Sequence, residues 1–156
     1  KQKILSMSLR SELERYVEQG IIDTSFHIKL AALYEQENVY SKAIAVYERA
    51  LKLTPEDRAI RDKYYLALQK AVERFEQYLE KKPDDPDVLY GLASFAASVG
   101  YQLKALNALE KAIKQKPLYL EKAKAAPEFK DLRLNQKFQE LTNTRVDIGK
   151  IDSFVE

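Results

Sequence analysis

The sequence predicts an all-α protein built from stacked helix-turn-helix units, and three observations support this prediction. The 156-residue chain has four glycines and five prolines, which is too little turn material for a many-stranded sheet. Pro83 and Pro117 lie 34 residues apart. Small and large apolar residues recur at matching offsets before Pro55 and before Pro117. A period of this size is typical of solenoids whose unit is a pair of helices.

The matching offsets define two repeats. The first repeat ends at Pro55 and reads His27-x-x-Leu30-Ala31-x-x-Tyr34, then Asn38, then Ala43-x-x-x-Tyr47-x-x-Ala50. The other repeat ends at Pro117 and reads Leu89-x-x-Leu92-Ala93-x-x-Ala96, then Gly100, then Ala105-x-x-x-Leu109-x-x-Ala112. This pattern resembles the tetratricopeptide repeat (TPR) family. The resemblance implies a right-handed superhelical array of about three repeats, with a concave helical surface exposed to other proteins.

The N-terminal half should contain three helices. Residues 1–20 are predicted as an N-terminal helix, either a cap or half of a repeat, that ends at Gly20. Its apolar stripe consists of Leu5, Leu9, Leu13, Tyr16 and Val17. The first repeat should pair a helix over 24–37, capped by Asp23 or Thr24, with a helix over 41–53. The alanines of each pair are small because the two helices approach closely there.

The C-terminal half begins with a capped helix. Asp85 can cap it and Pro86 suits its first turn, so we expect a pair over 86–98 and 102–115 with Gly100 in the turn. Capping helices should follow from about residue 118 and cover the last apolar face. The domain plan is therefore an N-terminal helix over 1–20, a solenoid over 21–141 and a tail over 142–156.

The middle unit departs from the period. Pro55 and Pro83 are only 28 residues apart, and the stretch from Arg58 to Lys82 contains no Gly, Pro or Asn. Apolar residues keep helical spacing from Ile60 to Leu79. Two interpretations remain open: residues are missing from this stretch, or it forms one helix about 37 Å long. If nothing is missing, residues 58–82 should form one uninterrupted helix.

The residue types give no support for catalysis or for a bound cofactor. The chain has one histidine and no cysteine, and His27 has only Asp23 near it in sequence as a further metal ligand. We therefore expect a neutral imidazole that is packed or partly exposed, no metal, no cofactor and no enzymatic activity. A net charge of +2 does not indicate a nucleic-acid partner. No run of apolar residues is long enough to cross a bilayer.

The family resemblance places a partner-binding groove on the inner face of the first helix of each repeat. The corresponding residues are Ile28, Ala32, Glu35 and Gln36 in the first repeat and Tyr90, Ser94 and Ala97 in the third repeat, which ends at Pro117. Tyr90 is rotated about 100° from Leu89, so we expect it to be partly exposed there while Leu89 and Leu92 are buried. Tyr90→Ala should then weaken partner capture without unfolding the chain. Gly91 either opens a shallow pocket beside Tyr90 or relieves packing against the middle helix.

One well-defined binding device of the family does not match. The carboxylate clamp for the acidic C-termini of Hsp70 and Hsp90 chaperones needs Lys, Asn and Arg on the inner face. The corresponding residues here are Ile28 and Ala32 in the first repeat and Asp87 and Gly91 in the last. The middle repeat offers Lys63 rather than Asn. The chain should therefore not be a clamp-type co-chaperone.

The predicted function is a protein-interaction scaffold, adaptor or chaperone-like assembly factor that binds a partner's helix or peptide. The alternative is a structural module that self-associates, its groove filled by its own tail or by a second copy. Residues 104–137 carry nine basic and four acidic residues, which indicates either an acidic partner or lipid surface or an ordinary solvated face. We expect a soluble chain of the cytoplasm or an organellar stroma or matrix. Lys1 is not an initiator methionine, so a targeting segment or membrane anchor can precede it.

Overall fold

The computed structural model describes residues 2–20 and 23–143, and within these residues it contains helices and turns but no β-strand. The all-α, helix-turn-helix fold class predicted from the sequence is confirmed. In chain order, the helices are α1 (Gln2–Glu18), α2 (Thr24–Gln36), α3 (Tyr40–Leu53), α4 (Arg58–Lys81), α5 (Pro86–Val99), α6 (Gln102–Gln115), α7 (Leu118–Ala125), a 3₁₀ helix (Pro127–Leu132) and α8 (Gln136–Thr142).

Both predicted helix pairs form, and their ends follow from the residues expected to cap them. Asp23 accepts a hydrogen bond from the Ser25 backbone N–H at 2.9 Å, and Asp85 caps α5 in the same way. The turns between the paired helices need a left-handed backbone. Asn38 provides it with φ 59° and Gly100 with φ 95°.

The middle stretch is one helix. α4 runs without interruption over 24 residues, from Arg58 to Lys81, and its length is therefore about 36 Å. The prediction of a single uninterrupted helix is confirmed. The physical reason is that the stretch contains no Gly, Pro or Asn to end the helix, while its apolar residues continue at helical spacing.

The contacts divide the chain into two compact units, residues 1–73 and 74–156. In the first unit, the core is formed by Leu13 and Val17 of α1 together with residues of α2, α3 and α4. Only the second half of the predicted α1 stripe is buried, because Leu5 and Leu9 are 69% and 48% exposed.

Alanines mark the close approach within each helix pair. In the first unit Ala31, Ala43 and Ala50 are fully buried, and Tyr47 fills the space beside them. In the helix pair of the second unit, Ala93, Ala96, Ala105 and Ala112 are fully buried. A side chain of this size lets two helix backbones approach closely, and a larger residue at any of these positions would overpack the core.

The end of the second unit is packed by the segments that follow α6. Phe129, Leu132 and Phe138 are buried, and the rings of Phe129 and Phe138 lie 6.0 Å apart. The 3₁₀ helix packs on α5, and α7 and α8 pack on α6. The predicted tail lies outside the described residues from position 144 onward. The domain boundaries proposed from the sequence stay a prediction.

Candidate protein-interaction surfaces

One side of α2 carries the residues predicted for the groove of the first repeat. Ile28, Ala32 and Glu35 are half-buried, and Gln36 is exposed. Their spacing along α2 places the first three on one face of the helix. In the first unit this face combines open apolar area with a polar edge.

α1 packs on a different face of α2. The rings of Tyr16 and Phe26 lie 5.2 Å apart. Arg10 Nη1 donates a hydrogen bond to Glu37 Oε2 at 2.6 Å, and the Tyr34 hydroxyl donates one to Glu14. Phe26, Tyr34 and Glu37 are roughly opposite Ile28 and Ala32 around the helix. α1 therefore leaves the predicted groove face of α2 uncovered.

Glu35 has a structural partner. Its carboxylate acts on the hydroxyl of Tyr47, which is buried in α3. Burial, followed by the charge and hydrogen bond of Glu35, raises the pKa of Tyr47 to about 12. Glu35 therefore helps to hold α2 against α3, so Ile28, Ala32 and Gln36 are the residues predicted on α2 that remain candidates for binding a partner.

The partial exposure predicted for Tyr90 is wrong. Tyr90 is only 6% exposed, and its ring stacks on Tyr119 with centroids 4.3 Å apart and planes at 12°. The ring of Phe129 meets Tyr90 edge-on at 5.9 Å, and Lys122 Nζ lies 4.8 Å from the Tyr90 ring centre. The physical reason is that the chain after Pro117 folds back over this side of α5, so the tyrosine has a core to fill.

The other two groove residues predicted on α5 differ in their surroundings. The Ser94 hydroxyl donates a hydrogen bond to Glu128 Oε1 at 2.8 Å, so the 3₁₀ helix engages it. Ala97 is half-buried. Residues 119–129 of the same chain therefore already contact Tyr90 and Ser94, two of the three groove residues predicted on α5.

The shallow pocket predicted beside Tyr90 does not form either. A Cβ atom added to Gly91 would lie 3.0 Å from Phe75 Cε2 and 3.2 Å from Phe75 Cζ. The Phe75 ring is stacked on Phe95, with centroids 5.5 Å apart. The alternative is confirmed: Gly91 lets α5 pack closely against the end of α4. Leu89 and Leu92 are buried, as predicted.

The clamp positions of the first and last repeats are unsuited to an anionic ligand. Asp87 accepts hydrogen bonds from the Tyr119 hydroxyl and from Lys116 Nζ, the latter at 3.1 Å. These partners lower the pKa of the Asp87 carboxyl, with the Tyr119 hydrogen bond as the larger cause. A charged carboxylate at this position repels an acidic chain end. Ile28 and Ala32 have no side-chain donors to offer one.

The single histidine is packed. His27 is 3% exposed, and its Nδ1 lies 3.4 Å from the backbone oxygen of Asp23. Among the residues that the structure describes, no three His, Asp or Glu side chains converge as a metal site. In the same described part of the chain, no helix has both the length and the apolar character needed to cross a membrane.

Sequence reasoning missed one surface of the second unit. An apolar recess lies between the end of α4, the start of α5 and the side of α6 that carries Leu103, Asn107 and Lys111. These three residues recur at four-residue spacing in the sequence, which is the only signal that could have indicated a shared face.

Comparison with known proteins assigns the first repeat. A tetratricopeptide repeat model matches residues 25–68, the stretch of α2, α3 and the first part of α4. A crystal structure of MamA is similar with a TM-score of 0.42 and 15% identity over 93% of this chain and 89% of that one. A MamA RS-1 ArsTM double mutant gives a TM-score of 0.36 and 15% identity over 97% and 96% of the two chains.

Similarities to solved structures as weak as these do not establish a shared arrangement. No curated protein matches the chain. The assignment therefore depends on the repeat match and on the helix pair that it covers, in which Leu30, Ala31, Tyr34, Ala43, Tyr47 and Ala50 are all buried at their expected positions. Residues 25–68 are a tetratricopeptide repeat, and the family resemblance read from the sequence is confirmed.

Proposed function

We propose that this chain is a protein-interaction scaffold or adaptor that binds a partner's helix or extended apolar peptide on the open face of α2. The observation that carries the proposal is the tetratricopeptide repeat over residues 25–68, a fold that supports protein interaction. Within it, the face of α2 formed by Ile28, Ala32 and Gln36 is left uncovered by α1. We assign no residue a catalytic role.

The chemistry of this face favours an apolar ligand. Ile28 and Ala32 are half-buried, so part of their apolar surface remains to be covered by a partner. Gln36 is exposed at the edge and can donate or accept a hydrogen bond. The first and last repeats have no cation at the positions that the family's clamp uses for acidic chain ends, so we propose an adaptor or assembly factor rather than a clamp-type co-chaperone. Helix-in-groove binding is the mode that fits such a surface.

A charge placed on this face tests the proposal. We expect Ala32→Arg to reduce capture of partner proteins from a lysate of the source cell by about tenfold or more, on the scale of an interface hot spot. The matched control is Ala45→Arg, because Ala45 is exposed on α3 and receives the same side chain. Far-UV circular dichroism should show that both variants stay folded. Equal capture by the two variants would remove the α2 face from the proposed function.

A second candidate function is self-association, and one observation favours it. Leu5 is 69% exposed on α1, and Met7 and Leu9 are each 48% exposed. A second copy could cover such an apolar edge. Light scattering over a range of concentrations distinguishes the two functions. The structural module is supported if Leu9→Lys dissociates an oligomer and the control variant Leu134→Lys, at a 90% exposed position, does not.

A further inference from the structure

The second unit contains an apolar recess of about 410 Å³. Its floor is formed by the buried side chains of Leu89 and Leu92 of α5 and Ala108 of α6. Leu79 of α4 and Leu103 of α6 form its edges, and Leu103 is 71% exposed. The space exceeds what one aliphatic side chain fills and lies within the range of ligand pockets. A bulky apolar group can therefore be buried here without rearranging the core.

The rim along α6 is basic. Lys104, Asn107 and Lys111 all line the recess, and the two lysines are separated by about 10 Å along the helix axis. Lys104 Nζ pairs with Glu76 Oε1 at 2.6 Å, and both side chains are about 40% exposed. A surface pair of this kind contributes little and can be exchanged for another carboxylate. No described carboxylate lies within ion-pair distance of Lys111.

The charge around the recess selects among ligands. An apolar peptide alone would leave Lys111 beside desolvated surface without a counter-charge, which costs free energy. A ligand with a carboxylate on each side of its apolar group would satisfy Lys111 and could displace Glu76 from Lys104. The stretch that contains both lysines, residues 104–137, has nine basic and four acidic residues, so the field also favours an acidic partner.

We propose that this recess is a second docking site, which binds a segment of a partner protein in which a bulky apolar residue is flanked by carboxylates. The apolar side chain enters the space above Leu89 and Leu92, and the carboxylates pair with Lys104 and Lys111. The site is formed entirely by residues of the second unit and does not depend on the α2 face.

Fluorescence anisotropy with labelled peptides and the full chain tests this site. The probes are a peptide with a central Leu flanked by Glu, a matched peptide flanked by Lys, and a Glu-flanked peptide with a central Ala. We expect the Glu-flanked Leu peptide to bind. The other two peptides should bind at least about tenfold more weakly, because one lacks the carboxylates that pair with the lysines and the other lacks the central apolar anchor. Added salt should weaken binding of the first peptide.

Two pairs of variants locate the binding on the recess. Lys111→Glu should weaken the Glu-flanked peptide about tenfold or more, whereas Lys114→Glu, also exposed on α6 but outside the recess, should not. Leu103→Ser should weaken binding, whereas Leu118→Ser, at a residue with 69% exposure elsewhere, should not. Equal effects within either pair would overturn the proposal. Ala32→Arg should leave this peptide unaffected, so the two sites can fail separately.

Two other occupants give distinct results, and either result would overturn the proposal. The C-terminal residues include Phe154 between Asp152 and Glu156, which is the same chemistry within this chain. If Phe154→Ala in the full chain raises the affinity for the Glu-flanked peptide, the chain's own end occupies the recess. If light scattering shows a dimer that Lys111→Glu dissociates and Lys114→Glu does not, a second copy of the chain occupies the recess.

Discussion

Removal of the Tyr90 hydroxyl should stabilise the protein. Tyr90 is buried, and its hydroxyl oxygen has no hydrogen-bond partner among the described residues. Burial, followed by the nearby charge of Glu128, raises the pKa of Tyr90 to about 12. A buried hydroxyl that is left without a partner costs about 1–3 kcal/mol. Tyr90→Phe removes this cost while the ring keeps its place between Tyr119 and Phe129.

The expected gain in stability is the relieved cost of the buried hydroxyl less the packing that is lost with its oxygen. The lost oxygen also removes some packing, so we expect a net gain of about 1 kcal/mol in the free energy of unfolding. For a chain of this size that corresponds to a rise of about 2–4 °C in melting temperature. Tyr119→Phe is the matched control, because it deletes the same group from the other ring of the stack. The Tyr119 hydroxyl donates to Asp87, so its removal should lower the stability.

Urea unfolding followed by far-UV circular dichroism measures both variants against the wild type. The midpoint should rise for Tyr90→Phe and fall for Tyr119→Phe, with similar slopes. Opposite signs from the same chemical deletion cannot arise from a general loss of ring packing. A fall in the midpoint for Tyr90→Phe as large as that for Tyr119→Phe would refute the reasoning, because it would mean that the Tyr90 hydroxyl has a stabilising partner.

Three further predictions concern packing and pH. Gly91→Ala should lower the free energy of unfolding by about 1 kcal/mol despite the better helix propensity of Ala, because the new Cβ meets the Phe75 ring. In a double-mutant cycle, Phe75→Leu should recover much of this lost stability. Ala43→Leu and Ala105→Leu should each destabilise by about 1–3 kcal/mol in urea unfolding, and unchanged midpoints for both would contradict the close helix approach. The pKa of Asp87 is lowered in the folded protein, so its contribution to the free energy of unfolding is fully present above the ordinary pKa of 3.8 and is lost as pH falls through the lower folded-state pKa. The stability difference between wild type and Asp87→Asn should therefore shrink as pH falls below 3.8. A difference that stays constant with pH would argue against the Asp87 contacts.

The sequence predicted the local features of the fold well. Asp23, Asp85 and Gly100 mark helix ends because capping depends on a few neighbouring atoms. The uninterrupted α4 followed from the absence of residues that end a helix. The alanines of the helix pairs followed from the repeat pattern, since the same residue sizes recur wherever two helices meet at the same distance.

The surfaces were harder to predict because they depend on distant parts of the chain. The rotation of Tyr90 away from Leu89 on α5 is correct, but it does not say whether residues 118–132 return to cover that face. The role of Gly91 was left open for the same reason, since Phe75 belongs to another helix. The recess beside Lys111 is formed by three separate helices, and no periodicity within one helix reports the space between them.

The stacked rings of Tyr90 and Tyr119 also make a built-in optical reporter. The chain has no tryptophan and ten tyrosines, so tyrosine dominates its near-ultraviolet absorption. Two rings with centres 4.3 Å apart and planes at 12° couple their electronic transitions, which gives circular dichroism that neither ring shows alone. Release of the segment after Pro117 from α5 would separate the pair and remove this signal while the far-ultraviolet spectrum of the helices persisted. Opening of this face could therefore be followed in the unlabelled protein.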